Sequence, residues 1–137
     1  MNCMLEDGAY LPEKAHEADA GYDLRTHIPV KIPAGGSATI DTGIHIAIPE
    51  GFFGKLESKS GLNVKHHIVS LGGVIDAGYT GSIVVKLYNL GKQDYIFQKG
   101  DKIVQMIIQP CTNLCLKQVK ALEDTERGDK GFGSSGR

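Results

Sequence analysis

Residues 82–110 read SIVVKLYNLGKQDYIFQKGDKIVQMIIQP. At the start of this run Ile83, Val85 and Leu87 alternate with Val84, Lys86 and Tyr88; at its end Ile103, Gln105 and Ile107 alternate with Val104, Met106 and Ile108. A period of two sends successive side chains to opposite faces of a strand, whereas a helix would need apolar residues three and four apart. Between the two segments lie NLGKQD (89–94) and QKGD (98–101), whose Asn, Gly and Asp punctuate turns. Upstream, TIDTGIHIAIP (39–49) repeats the pattern, with Ile44, Ile46 and Ile48 on one face and His45 and Ala47 on the other, bounded by PAGG (33–36) and PEG (49–51). Only SGLNVKHHI (60–68) could be helical, and then briefly, because Leu62 and Val64 are too close for an apolar stripe. Short strands without intervening helical patterns predict an all-β sandwich, jelly roll or barrel with at most one short helix.

The 137 residues, with 18 glycines, 5 prolines and no tryptophan, suit one turn-rich domain. Apolar density falls and glycine rises in ALEDTERGDKGFGSSGR, so residues 1–122 are expected to form the barrel and 123–137 a flexible arm that orders only on a partner or ligand. With 15 Lys+Arg against 16 Asp+Glu, no global field draws the chain to nucleic acid or to an anionic membrane. No apolar run approaches a membrane span, and MNCMLEDGAY lacks the pattern of a signal peptide, so a cytoplasmic location is expected. Cys3, Cys111 and Cys115 then read as free thiols, buried or partly so. Cys111-x3-Cys115 with His66 and His67 elsewhere lacks a second paired-ligand motif, and adjacent histidines diverge on a strand, so zinc is not expected.

Four stretches carry more glycine and polar groups than strand packing needs. ADAGYDL (18–24) sets Asp19 and Asp23 about Gly21, which fits an Asx-type turn as well as a site. SKSGL (58–62) offers a charge at Lys59, a hydroxyl at Ser60 and an open backbone at Gly61, suited either to an anion or to an ordinary helix cap at Ser60. GGVIDAGYTG (72–81) leads through an apolar step, Val74 and Ile75, to a lone carboxylate at Asp76 and then to Tyr79. A carboxylate so placed can take a proton from water when cations keep it ionised, and it can equally be a turn residue. GDKIVQ (100–105) puts Gln105 among apolar positions, where its amide needs a partner. The tail GFGSSG (131–136) fits G-x-G-x-x-G, but no second strand comes after it as a Rossmann unit requires. The stretch still supplies backbone amides, two hydroxyls and the cations Arg127 and Lys130, parts for an oxyanion.

ADAGYDL, SKSGL, GGVIDAGYTG, GDKIVQMII and RGDKGFGSSG, in this order and at these separations, resemble the five motifs of the trimeric deoxyuridine triphosphate nucleotidohydrolases, the dUTPases, from Ala18 to Gly136. The resemblance implies a jelly-roll-like β-barrel of the β-clip type. It implies a homotrimer with active sites at subunit interfaces and a C-terminal arm that closes over another subunit's site. It implies hydrolysis of dUTP to dUMP and pyrophosphate with Mg²⁺, limiting uracil in DNA and supplying dUMP for dTMP synthesis. By the resemblance Asp76 is the general base for water attacking the α-phosphorus. Tyr79 packs on the deoxyribose, Ser70, Leu71 and Gly73 belong to the segment whose backbone pairs with uracil, and Phe132 stacks on the base. Lys59, Ser60, Gly61, Gln105, Arg127, Gly131, Ser134 and Ser135 contact the phosphates, and Asp23 stands near the metal through water. Lys59 replaces the family's usual arginine, giving a point charge instead of a two-pronged fork. The common DYRGE becomes GYTGS, with Gly78, Thr80 and Ser82 at charged positions, and Ser135 replaces a frequent threonine. The related dCTP deaminases normally lack such an arm. A regulatory protein partner of the kind some phage dUTPases have is left open by the sequence.

Overall fold

The computed structural model describes residues 1–129 and 131. The elements, in chain order, are β1 (Asn2–Leu5), β2 (Tyr22–Arg25), β3 (Val30–Ile32), β4 (Ser37–Asp41), β5 (Ile44–Ala47), β6 (Phe52–Glu57), α1 (Ser60–His66), β7 (Ile68–Ser70), β8 (Val74–Ile75), β9 (Val84–Asn89), β10 (Tyr95–Phe97) and β11 (Lys102–Pro110). Every ladder is antiparallel. The sheets run β2-β11-β6-β8, β4-β9-β7, β1-β5 and β10-β3. This nearly all-β arrangement with one short helix is the jelly-roll-like, β-clip architecture expected.

The alternation in β9 is realised: Ile83, Val85 and Leu87 are buried while Val84 is exposed. Ile44, Ile46 and Ile48 are buried likewise, and they join Leu24, Ile32, Ile40, Phe97, Ile103, Val104 and Met106 in one core. Each such side chain, fully buried, contributes about 1.5–3 kcal/mol from area removed from water. Two patterns differ from expectation. Residues 39–49 are not one strand: the chain leaves β4 at Asp41, crosses at Thr42 and Gly43, and enters a different sheet as β5. Thr42 is buried at the crossing, where its hydroxyl donates to the Ile83 carbonyl at 2.7 Å. In β11, Ile103 and Val104 are both buried, because the register with β2 shifts between Lys102 and Val104. A bulge of this kind reverses the facing of the residues after it.

The helix expected at most within 60–68 spans Ser60–His66 and buries no residue. It ends with His67 in the left-handed region at φ 58, so His66 and His67 close a helix and are not strand neighbours. The three cysteines are exposed, against the expectation of buried or partly buried thiols. Cys3 lies on the fully exposed strand β1, and Cys111 and Cys115 lie past the last strand, so none has a second layer to pack against. The last sheet residue is Pro110, after which one backbone link joins the Cys111 N–H to the Gly51 carbonyl at 2.8 Å. Beyond it Leu114, Leu116, Val119 and Leu122 are exposed.

Candidate active site

Pairing of β2 with β11 and of β11 with β6 brings the first, second and fourth polar stretches together. Gln105 lies opposite Asp23 on one side and Glu57 on the other. A cleft of about 390 Å³ results, lined by Asp19, Gly21, Asp23, Lys59, Ser60, Gly61, Lys102 and Gln105 among others. Asp23 is its anchor and is only 7% exposed. One carboxylate oxygen pairs with the Lys59 ammonium and the other with Lys102 Nζ at 2.6 Å. Burial pushes the Asp23 carboxyl upward, and hydrogen bonds from Lys102 and Lys59 more than offset it, leaving the group below the usual carboxylate range. The Gln105 amide donates to the Ser58 carbonyl at 3.3 Å, which supplies the partner its position demanded. Ser60 does not cap α1: Lys59 occupies the N-cap without a side-chain cap bond, so the Ser60 hydroxyl stays available to the cleft.

The third stretch forms a separate edge. β8 pairs with β6 through Gly54↔Ile75 and Lys55↔Val74, and the Leu56 N–H donates to the Gly73 carbonyl at 2.8 Å. Gly73 sits at φ 111, and a Cβ there would lie 2.7 Å from Leu56 Cβ, so both conformation and space exclude a side chain. Ser58 Oγ ties this edge to the cleft by accepting from the Ser70 N–H at 2.8 Å and donating to the Ser70 carbonyl at 3.3 Å. Leu71 and Gly72 have exposed backbone without a hydrogen bond among the described residues. Val74 is 62% exposed, so the expected buried step toward Asp76 is half-realised by Ile75 alone. With two residues of β8 against one edge of β6, only one of the pair can face the core. Asp76 is exposed and its carboxylate has no hydrogen bond or ion pair among the described residues. A turn comes next, closed by the Tyr79 N–H on the Asp76 carbonyl at 3.2 Å. Tyr79, 45% exposed, folds back over Gly81 and donates to the Ser82 carbonyl at 2.9 Å.

The structure thus gathers Asp23, Lys59, Ser60, Gly61 and Gln105 at one cleft, and Ser70, Leu71, Gly73, Asp76 and Tyr79 on a neighbouring hairpin edge that does not line it. Arg127 and Gly131 lie past the last strand in sequence, Arg127 exposed and Gly131 half-buried. Phe132, Ser134 and Ser135 lie outside the described residues.

Comparison with known proteins decides the family. The dUTPase family model matches residues 7–136. A deoxyuridine 5'-triphosphate nucleotidohydrolase of Paramecium bursaria Chlorella virus 1 is 42% identical over 132 residues, covering 96% of this chain and 94% of the relative. The chain belongs to the dUTPase family. Among solved dUTPase structures, that of Staphylococcus bacteriophage 80alpha with dUPNHPP superposes with a TM-score of 0.93 at 34% identity, covering 99% of this chain and 98% of the other. A mutant dUTPase of phage phi11 of S. aureus, described with a structural Mg(II) ion, superposes at 0.83 with 31% identity, covering 90% of this chain and 98% of the other.

Within this dUTPase architecture two residues were missed by sequence reading. Lys102 lines the cleft and holds Asp23, and its neighbour in GDKIVQ, Gln105, drew attention instead. Plain alternation sets positions 102 and 105 on opposite faces; the bulge brings both to the cleft. His45, which alternation sets on the face opposite Ile44 and Ile46, contacts the loop that carries Tyr79. No local signal reveals that contact, because Thr80 is far away in sequence.

Proposed function

We propose that this dUTPase hydrolyses dUTP to dUMP and pyrophosphate at composite sites shared between copies of a homotrimer. The observation that carries the reading is the division of the motif residues into two groups on one chain: a polar cleft suited to phosphates, and an exposed edge with one carboxylate and one tyrosine that does not line it. A neighbouring copy that sets its edge against the cleft would complete a site. The exposed Leu114, Leu116, Val119 and Leu122 on an extended segment support such a partner, since that much apolar surface is ordinarily covered.

In the cleft, Lys59, Ser60, Gly61, Gln105 and Lys102 offer charges, a hydroxyl, an open backbone and an amide to the phosphates. Lys59 and Lys102 are balanced there by Asp19 and Asp23, so the cleft alone does not neutralise a triphosphate. Further cations are required, and they come from Arg127 of the arm and from Mg²⁺. Asp23 fits a place one water away from that ion: each of its oxygens takes one ammonium and keeps a lone pair. Among the described residues no group of three or more His, Cys, Asp or Glu side chains is arranged to hold a metal. The phosphates and water would supply the remaining ligands, in keeping with the reluctance of Mg²⁺ to shed its hydration. When bound, the ion would supply positive charge to offset that of the phosphates.

Asp76 accepts a proton from the attacking water as its oxygen bonds to the α-phosphorus, and the bond from that phosphorus to the bridging oxygen breaks to release pyrophosphate. Tyr79 lies against the deoxyribose and crowds out a 2′-hydroxyl. The open backbone of Leu71 and Gly72, between Ser70 and Gly73, pairs with uracil. Gly131, Phe132, Ser134 and Ser135 close over base and phosphates as a lid that excludes water. Free, exposed thiols support a reducing, cytoplasmic compartment.

Purified protein given dUTP, dCTP, dTTP and UTP with and without Mg²⁺ should release pyrophosphate from dUTP alone, and faster with the ion. Ammonia from dCTP would overturn the assignment. Asp76→Asn should still bind dUTP but turn it over at least about 100-fold more slowly; a near-normal rate removes Asp76 as base.

A further inference from the structure

His45 stands on β5 between the buried Ile44 and Ile46, on the face turned away from the core. Its side chain is only 16% exposed. Nδ1 lies 2.8 Å from the Thr80 carbonyl and Nε2 lies 3.0 Å from Glu6 Oε1. Both partners are acceptors. A neutral imidazole has one N–H and would leave a lone pair facing an oxygen at the other nitrogen; the imidazolium donates at both. The Thr80 carbonyl and then the Glu6 hydrogen bond raise the His45 pKa above its ordinary value; burial opposes them, and the charges of Glu6 and Asp41 add smaller support. Glu6 from the turn after β1 and Asp41 from the end of β4 are the charged groups that act on it, while the loop itself presents a carbonyl.

The Thr80 carbonyl sits between Tyr79 and the ties that moor the rest of the loop. The Ser82 hydroxyl donates to Asp41, and the Ile83 N–H donates to the Ile44 carbonyl at 2.8 Å. His45 adds a tie at Thr80, beside Tyr79, whose own hydroxyl donates to the Ser82 carbonyl at 2.9 Å.

We propose that His45 is a positioning residue for substrate choice: its imidazolium, clamped between Glu6 and the Thr80 carbonyl, fixes the 76–82 loop so that Tyr79 meets the sugar, and the clamp loosens as His45 loses its proton. The inference rests on the proposed role of Tyr79 against the deoxyribose. Its direction comes from the charge. A histidine whose folded-state pKa is raised keeps its contacts whole below the unfolded value of about 6.5 and loses them as pH climbs through the higher folded value. Preference for dUTP over UTP should therefore weaken toward alkaline pH. The ratio of kcat/KM for the two substrates isolates this effect, because ionisation of the shared triphosphate cancels.

The test measures that ratio from about pH 6 to pH 9.5 in the intact enzyme, beside an NMR titration of the His45 ring. The wild-type ratio should fall several-fold with a midpoint matching the ring titration. In His45→Gln, which cannot ionise, it should be low and flat. Glu6→Gln keeps a partner for Nε2 but removes its charge, so the midpoint should move to lower pH with the same acid plateau. A wild-type ratio that stays flat while the ring titrates, or wild-type and His45→Gln curves that run parallel, overturns the proposal. Tyr79→Ala separates the two levels. If it abolishes the preference while the His45 results are flat, only the inference about His45 fails; if it leaves the preference intact, the role given to Tyr79 and the inference fail together.

Discussion

At Asp23 two ammonium groups meet one nearly buried carboxylate, and the pH response stems from that arrangement. Burial raises its pKa, and Lys102 and Lys59 lower it further than burial raises it. A carboxyl whose folded-state pKa is depressed adds stability that is complete above the unfolded value of about 3.9 and is lost as pH falls through the folded value. Urea midpoints should hold steady from about pH 7 down to about pH 4 and then drop. Asp23→Asn should be less stable at neutral pH, since two lysines then share a cleft without their counter-charge, and should lack the extra acid drop. Parallel acid limbs in the two proteins would show that the two ion pairs contribute nothing. Activity should fall as well, because the same lysines would no longer be aimed across the cleft.

Among the elements, the 76–82 loop, like the turn at Gly73, depends for its shape on a missing side chain. A Cβ at Gly81 would lie 2.5 Å from Tyr79 Oη and 2.6 Å from Tyr79 Cζ, so Gly81→Ala must swing the ring or shift the loop. The expected result is a several-fold loss of preference for dUTP over UTP with modest change in melting temperature; unchanged preference would mean that the ring position seen here is not the one that selects the sugar. Sequence reading located this loop and the carboxylate it follows, because glycines flank both. It also found the long alternating runs that became β9 and most of β11. It did not find β1, β2 or β6, nor β3, β7, β8 and β10, the last four being of two or three residues, too short to show a period. Lys102 and His45 escaped for different reasons. One is displaced by a bulge that alternation does not reveal, and the other acts through a contact across 35 residues of chain.

The whole molecule is a well-packed barrel from which a long, apolar-studded segment departs after Pro110. Leu116 is fully exposed, with no surface among the described residues to cover it, and the homotrimer proposed above would supply one. Deleting residues 127–137 should lower kcat/KM for dUTP by at least about 100-fold, through loss of phosphate contacts and of the lid. Light scattering should still report the mass of three copies, because the segment before residue 127 would remain to hold them. A fall to the mass of one copy would assign the tail to assembly instead. The chain also has no helix long and apolar enough to cross a membrane among the described residues.

The kink in register between Lys102 and Val104 changes the parity of the strand. On an undisturbed strand, odd separations divide residues between wet and dry sides, and a lysine three places from a glutamine would be parted from it. One supernumerary residue cancels that rule, so Ile103 and Val104 can both enter the oily interior while Lys102 and Gln105 share the wet side. Removing Ile103 would shorten the separation to two, an even number that a regular strand keeps on one side, so the polar couple would stay aligned while the core lost a buried side chain. Loss of that one residue would thus injure the packing of the interior and spare the alignment of the wet side.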